Sequence, residues 1–334
     1  MPVKTLEVDI LIVGAGPVGL YGAYYCGERT LSCAVVDSLS EVGGQVTAMY
    51  PEKQIYDVAG FPAVTGRDLV RGLSAQASQR DPSYLLGQEA QQLEKLDDGR
   101  FRVITTRSEV VAGAVIVTGG IGTFTPRPLP AGEEYLGRGL EYFVPSSQEY
   151  VGRDVVIVGG GDSALDWALM LEPLASHVTL VHRREQFRAH SASVEQVRAS
   201  GVDMVVNAQV TALDGGPLLE KAEITVKGQE PYVVPCQRVV AALGFTANLG
   251  PMREWGIDLR DNRHLVVDSA MRTNLPGVFA AGDITDYDGK VRLISVGFGE
   301  VATAVNNAAV HIDPHAHVFP GHSTDLPHDV PVPA

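Results

Sequence analysis

Residues 10–20 read ILIVGAGPVGL, and residues 155–167 read VVIVGGGDSALDW. Each is a short β-branched apolar run, a glycine-rich turn and a stretch able to open a helix. Gly14, Gly16 and Gly19 make G-x-G-x-x-G; Gly159, Gly161 and Ala164 make G-x-G-x-x-A. In such a turn the first glycine permits the tight bend and the second lets backbone approach a pyrophosphate. The third position stays small so that helix and strand can pack closely. The helix N-terminus then faces the anion with N–H groups that have no partner inside the helix. The form occurs twice, so the chain is expected to hold two dinucleotides.

The two turns lead into different chemistry. Asp37 closes the next apolar run, at residues 33–36, where its carboxylate can accept hydrogen bonds from both ribose hydroxyls. After the second turn, the run at 178–181 ends instead in His182-Arg183-Arg184-Glu185-Gln186-Phe187-Arg188. A 2′-phosphate needs positive forks and would be repelled by an acid. Arg183, Arg184 and Arg188 are therefore expected to read the 2′-phosphate of NADPH, with its pyrophosphate at the helix start near Asp162 and Ser163. Two nicotinamides would have little to exchange. A resident flavin facing a diffusing NADPH accounts for both turns, because hydride passes from one ring to the other.

The pattern predicts strands over 8–13, 33–36, 155–158 and 178–181, and helices over 17–28 and 163–171. The fold class expected is α/β, with two Rossmann-like three-layer dinucleotide-binding domains, the NADPH domain inserted into the FAD domain. The boundaries expected are 1–120 (FAD domain, first part), 121–244 (NADPH domain) and 245–334 (FAD domain, second part, with a C-terminal extension). The strand-like runs 114–117 and 239–243, each followed by glycine, are candidate crossings between the domains. Residues 123–130, TFTPRPLP, read as a Pro-rich connector.

Composition narrows the function. The chain has 334 residues, 45% hydrophobic and 20% charged, which is the profile of a folded globular protein. Its formal net charge of −14 argues against a nucleic-acid or anionic-membrane binder. Three cysteines, Cys26, Cys33 and Cys236, form no CxxC and no metal-ligand spacing, so a reducing, cytoplasmic setting is expected. The first residues lack a signal-peptide pattern, because Glu7 and Asp9 interrupt the apolar run. No run reaches the roughly 18 apolar residues of a membrane span. The histidines of the tail, among them His311, His315, His317, His322 and His328, have no acid or Cys partner at ligand spacing, so no metal site is expected.

Beyond the two turns, VTGG (117–120), HRREQFRA (182–189) and TNLPGVFAAGD (273–283) complete a set of blocks. Together they resemble the two-dinucleotide flavoprotein reductases along nearly the whole chain. The architecture looks like thioredoxin reductase, yet the stretch where that family carries its redox CxxC reads YFVPSSQEY (142–150). Without a thiolate no dithiol relay operates there. The better resemblance is to the thioredoxin-reductase-like ferredoxin–NADP+ reductases. It rests on GGQVTAMYPEKQIYDVAGFP (43–62), YFVP, GGGDSALDWAL with HRR-x-x-FRAH, and a tail running on through FPGHSTD (319–325).

That resemblance implies that Asp37 holds the adenosine ribose of FAD and that Asp283 contacts the ribityl–phosphate region. It implies Gln45 near the flavin, Tyr50 stacked on one face of it, and Phe124 and the Ala90 backbone bordering it. His322 from the tail, with Ser323 and Thr324 beside it, would cover the other face, contributed by the partner subunit of a homodimer. The chemistry implied is hydride from NADPH to flavin N5, then single electrons to ferredoxin or flavodoxin. No residue is then needed as acid, base or nucleophile; Tyr50 and His322 act by stacking. Two rival readings remain at this level. One is another NADPH-dependent flavoprotein reductase, acting on protein or small disulfides. The other is a flavin redox sensor without turnover.

Overall fold

The computed structural model describes residues 4–322. The chain divides into two compact units: residues 4–47, 53–123 and 248–322 form the first, and 48–52 with 124–247 the second.

In the first unit, the strand Lys4–Val13 lies at the centre of a seven-stranded sheet. Residues 10–12 are completely buried, as expected of a strand covered on both faces. It pairs in parallel with Cys33–Asp37 on one side and Ser108–Val117 on the other. Ser83–Leu86 extends the sheet beyond Cys33–Asp37. The other edge of Ser108–Val117 has two partners along its length. Its first half takes an antiparallel meander, Phe101–Thr105 and Ala90–Lys95, and its second half pairs in parallel with Val278–Ala280. The helices Pro17–Glu28 and Ile294–Ile312 pack against each other and against this sheet.

The second unit carries a five-stranded parallel sheet in the order Leu140–Glu141, Arg238–Ala241, Asp154–Val158, His177–His182, Asp203–Val206. The helices Asp162–Leu171 and Ser191–Ala199 pack beside it. A three-stranded antiparallel sheet, Ala208–Gly215, Leu219–Val226 and Tyr232–Pro235, covers the opposite side through a cluster that includes Val156, Val239 and Ile224. A parallel sheet with both faces covered is the Rossmann-like arrangement that the sequence pattern predicts.

The strand-like runs are strands: 114–117 closes Ser108–Val117 and 239–241 closes Arg238–Ala241, each with a partner strand on both edges and buried there. The boundary between the units falls in Thr123–Pro126 and Phe245–Asn248, which pair as a two-stranded ribbon. The Pro-rich stretch is thus partly strand. Pro126 is tolerated there because a two-stranded ribbon leaves every residue an edge position.

Candidate dinucleotide-binding sites

Register brings the first site together. Val13 lies opposite Val36 and Val117, and Val117 lies opposite Ala280. Gly14, Asp37, Thr118 and Ala281 therefore leave the sheet along one carboxyl edge, the place where open α/β sheets take ligands. Gly14 has φ +119°, and a Cβ there would lie 2.6 Å from the Thr118 carbonyl oxygen. A Cβ on Gly19 would lie 1.8 Å from the Gly14 oxygen, whereas one on Gly16 would meet nothing within 4 Å. Packing demands the outer two glycines; the middle one faces open space. The helix Pro17–Glu28 starts at Gly16 with no side-chain cap and no acid in its first turn. The helix Gly66–Ser78 is different: Thr65 caps it by accepting from the Asp68 N–H at 3.1 Å. The uncapped start leaves its N–H groups for an anion.

The Asp37 carboxylate is held against this turn. Its Oδ2 accepts from the Ala15 N–H at 2.7 Å and its Oδ1 from the Leu39 N–H at 2.8 Å. Burial pushes its carboxyl above the ordinary range, and the two N–H groups pull it back down. Each oxygen keeps a lone-pair direction for a hydroxyl donor. The loop leading to Ala90 is tied to the same place, since the Gln88 N–H donates to the Asp37 carbonyl at 2.9 Å. Ala90 itself is buried at the start of its strand. Gln45 opens the short helix Gln45–Met49, and its amide nitrogen lies where a Cβ on Gly120 would come within 2.5 Å. Asp283 follows Val278–Ala280 at the same edge. Burial pushes its carboxyl up, while Lys290, Arg292 and His264 favour the charged form and Glu300 opposes it.

Not every expected FAD residue sits in this unit. Tyr50 lies in the 48–52 segment grouped with the second unit, where its ring packs on the cluster around Val144, Tyr150 and Trp167. Phe124 also belongs to the second unit, with Phe143 and Phe245 each 6.2 Å from its ring and edge-on. His322 meets Phe319 edge-on at 5.3 Å. Thr324 lies outside the described residues.

The second site repeats the edge with different chemistry. Val158 lies opposite Val181 and Ala241, so Gly159, His182 and Ala242 emerge together. A Cβ on Gly159 would meet the Ala242 oxygen at 2.5 Å and the Ala164 Cβ at 2.8 Å. One on Gly160 would strike the His182 ring at 2.1 Å, and one on Gly161 would find only Arg188, at 4.0 Å. His182 is buried beneath the turn, with Nε2 3.2 Å from the Gln186 carbonyl and Phe187 4.8 Å away ring to ring. Burial pushes its pKa down, the Gln186 carbonyl opposes this, and Arg183, Arg184 and Arg188 add to the lowering; facing a carbonyl oxygen, Nε2 is the donor. The arginine loop is stitched to the turn: the Arg188 N–H donates to the Gly160 carbonyl at 2.8 Å, and the His190 N–H to Asp162 Oδ1 at 2.9 Å. Asp162 and Ser163 open the helix Asp162–Leu171, which has no side-chain cap. Arg183, Arg184 and Arg188 are exposed, and among the described residues their guanidinium groups make no ion pair or hydrogen bond. Most other arginines of this acidic chain, such as Arg100, Arg102 and Arg238, lie against carboxylates.

The three cysteines are all buried and free. Burial raises the Cys26 thiol, with Cys33 adding to the effect, and pushes Cys236 up to about 12. Neither is a thiolate near neutral pH, so neither can attack a disulfide.

Sequence reasoning missed Lys290, Glu300 and Tyr287, which surround the turn before Asp283. Glu300 carries a readable signal. It is an acid on the same helical face as Gly297, Val301, Ala304 and Ala308, a stripe that is otherwise small and apolar.

The model of the pyridine nucleotide-disulphide oxidoreductase family matches residues 8–308. The chain belongs to that family. Among curated relatives, a protein named ferredoxin–NADP reductase from Salinispora arenicola is 62% identical over 96% of this chain and 99% of its own length. One of the same name from Halalkalibacterium halodurans is 47% identical, over 95% and 97%. Among solved structures, the thioredoxin reductase of T. acidophilum superposes with a TM-score of 0.74 at 26% identity, covering 91% of this chain and 98% of that one. The bacillithiol disulfide reductase of Staphylococcus aureus gives 0.69 at 17%, over 90% and 98%, which speaks for the fold alone.

Among the described residues no helix is long and apolar enough to cross a membrane.

Proposed function

We propose that this protein is an FAD-dependent ferredoxin–NADP reductase that works without a redox-active disulfide. One observation carries the reading: two uncapped glycine turns stand at two carboxyl edges, one backed by an acid and the other by three uncommitted arginines. The names of the full-length relatives agree with it. The buried, free cysteines speak against the disulfide-reductase alternative.

The residues of the first turn fit FAD. Gly16 has open space before it, so the turn can approach a pyrophosphate; Asp37 would accept the adenosine ribose hydroxyls, and Asp283 the ribityl hydroxyls. Gln45 and the Ala90 backbone would border the cofactor, with Tyr50, Phe124, His322 and Thr324 supplying its surroundings. Gly159, Gly161, Asp162 and Ser163 would receive the NADPH pyrophosphate, and Arg183, Arg184 and Arg188 the 2′-phosphate. When bound, FAD supplies the change from two-electron to one-electron transfer. The chain's own residues bind, orient and exclude water, so no side chain is required to move a proton. Flavodoxin as a second acceptor, a homodimer and a cytoplasmic setting complete the reading, supported by the tail motif and the cysteine pattern.

The test is direct. The purified protein reconstituted with FAD should turn yellow, bleach with NADPH, and reduce cytochrome c when a ferredoxin from the same organism is present. Failure to take up FAD, or cytochrome c reduction that does not respond to ferredoxin or flavodoxin, would overturn it. Ultracentrifugation checks the dimer.

A further inference from the structure

Beside the Asp283 turn, Lys290 and Glu300 form a buried ion pair. The Lys290 side chain is 2% exposed and that of Glu300 is 5% exposed. Lys290 Nζ lies 2.5 Å from Glu300 Oε1 and 3.0 Å from the Gly282 carbonyl oxygen. The other carboxylate oxygen, Glu300 Oε2, accepts from the Gly282 N–H at 2.7 Å. Tyr287 donates its hydroxyl to Glu300 Oε1 at 2.6 Å, and Lys290 Nζ lies 5.4 Å from the centre of the same ring. Thr285 adds its N–H and hydroxyl to the Gly282 carbonyl, at 3.0 and 2.8 Å.

Both sides of one peptide residue are thus gripped by the two ends of one ion pair. That residue, Gly282, has φ +84°, a conformation glycine adopts readily, and a Cβ there would press on Val18 of the first glycine turn at 3.2 Å. Asp283 is the next residue along the chain. The pair therefore couples three elements: the helix bearing Glu300, the loop bearing Lys290, and the turn that presents Asp283.

Stability alone is a poor reason for such an arrangement. Removing two charges from water is costly, and replacing a buried pair with apolar residues of similar volume is often neutral or stabilising. A pair that also hydrogen-bonds both the N–H and the C=O of one backbone residue does something apolar residues cannot. It fixes the direction of that turn's N–H and C=O.

We infer that Lys290 and Glu300 are positioning residues for FAD: their buried ion pair clamps Gly282 so that Asp283 is presented to the ribityl hydroxyls. The inference rests on the proposed reading of Asp283 as an FAD residue, and its effect is on cofactor affinity rather than on the fold. Tyr287 supports the clamp as a hydroxyl donor. Its pKa is pushed up to about 12, first by burial and then by Glu300, so the proton stays in place.

The experiment uses the full chain stripped of FAD. Dissociation constants for added FAD, read by flavin fluorescence quenching, are measured beside the unfolding temperature of the apo-protein. The variants are Lys290→Met with Glu300→Leu, Glu300→Gln alone, and Asp283→Ala. The double variant should keep an apo unfolding temperature within about 3 °C of the parent. It should also weaken FAD about tenfold or more, because charge-assisted contacts to the turn are gone. Glu300→Gln, which keeps the volume but leaves the Lys290 charge buried without its partner, should weaken FAD as well and also lower the apo unfolding temperature. The inference is overturned if the double variant binds FAD like the parent. It is also overturned if the apo-protein of the double variant fails to fold, which would make the pair structural. Asp283→Ala separates the two levels. If it weakens FAD and the double variant does not, only the clamp fails; if it leaves FAD binding unchanged, the reading of the turn itself fails.

Discussion

The two glycine turns share one plan and solve it with opposite chemistry. In the first, the residue behind the turn is Asp37, whose carboxylate bonds the turn through the Ala15 N–H. In the second, the residue in the matching place is His182, whose ring fills the space beneath Gly160. An acid in that place suits ribose hydroxyls. A neutral imidazole adds no charge of its own and leaves the exposed arginines as the local field. The third small position differs too. Gly19 has no room for a methyl group, whereas Ala164 already carries one, buried in its own unit. The two turns thus share a backbone plan, and they differ in the side chains at the end of the next strand.

Substitution at the third position breaks the comparison most strongly. Gly19→Ala would drive a Cβ into the Gly14 oxygen, and we expect stability to fall by about 3 kcal/mol or more and FAD to be poorly retained. Its mirror, Ala164→Gly, should cost only about 1 kcal/mol, the usual penalty for glycine in a helix. Denaturant titration and cofactor content of both variants check this. Equal effects would mean that the two turns are not packed differently at this position.

Next in size is the arginine loop. Replacing Arg183 and Arg184 together by alanine should raise KM for NADPH about 10- to 100-fold while changing KM for NADH less than about 2-fold. Steady-state kinetics with both coenzymes measures it. Parallel losses would show that these side chains do not read the 2′-phosphate.

Asp37→Asn sharpens the first half of the comparison. The amide keeps one acceptor and loses the charge, so FAD should bind about tenfold more weakly. Equilibrium binding to the apo-protein tests this, and unchanged affinity would remove Asp37 from the ribose.

The smallest effects are those of pH, and here the two residues act with opposite signs. Asp37 has a folded pKa above its unfolded value, so the folded state holds its proton more tightly. Apo stability should therefore fall as pH rises through the window just above the ordinary carboxylate range. His182 has a folded pKa below its unfolded value, so stability should rise with pH toward about 6.5 and decline below it. Thermal unfolding of Asp37→Asn and His182→Gln across pH 4 to 8 should flatten these two slopes separately.

Much of the frame was legible because parallel strands covered on both faces leave continuous apolar runs, and turns that approach phosphate require glycine at fixed offsets. The expected helix at 17–28 coincides with Pro17–Glu28 for that reason. The positions of Asp37 and of the arginine trio at or just beyond a strand end were legible as well. Long-range neighbours were not legible, because local pattern does not carry pairing. Residues 114–117 and 239–241 read as strand-like and lie in strands, but which strands they pair with is not visible in their local pattern. Tyr50 is five residues from Gln45 in the chain, but its ring packs in the other unit.

The amino-acid order by itself determined that two strand–turn–helix units with glycine-rich turns exist, one followed by an acid and the other by three arginines, since both depend on residues within a single such stretch and the strand after it. Tertiary structure alone decided which strands neighbour each other. It also decided that Asp37, Gln45 and Asp283 share a unit, and that Lys290 and Glu300 close on Gly282. Those are contacts between segments far apart in the chain, set by sheet register and helix packing, and they leave almost no trace in local periodicity.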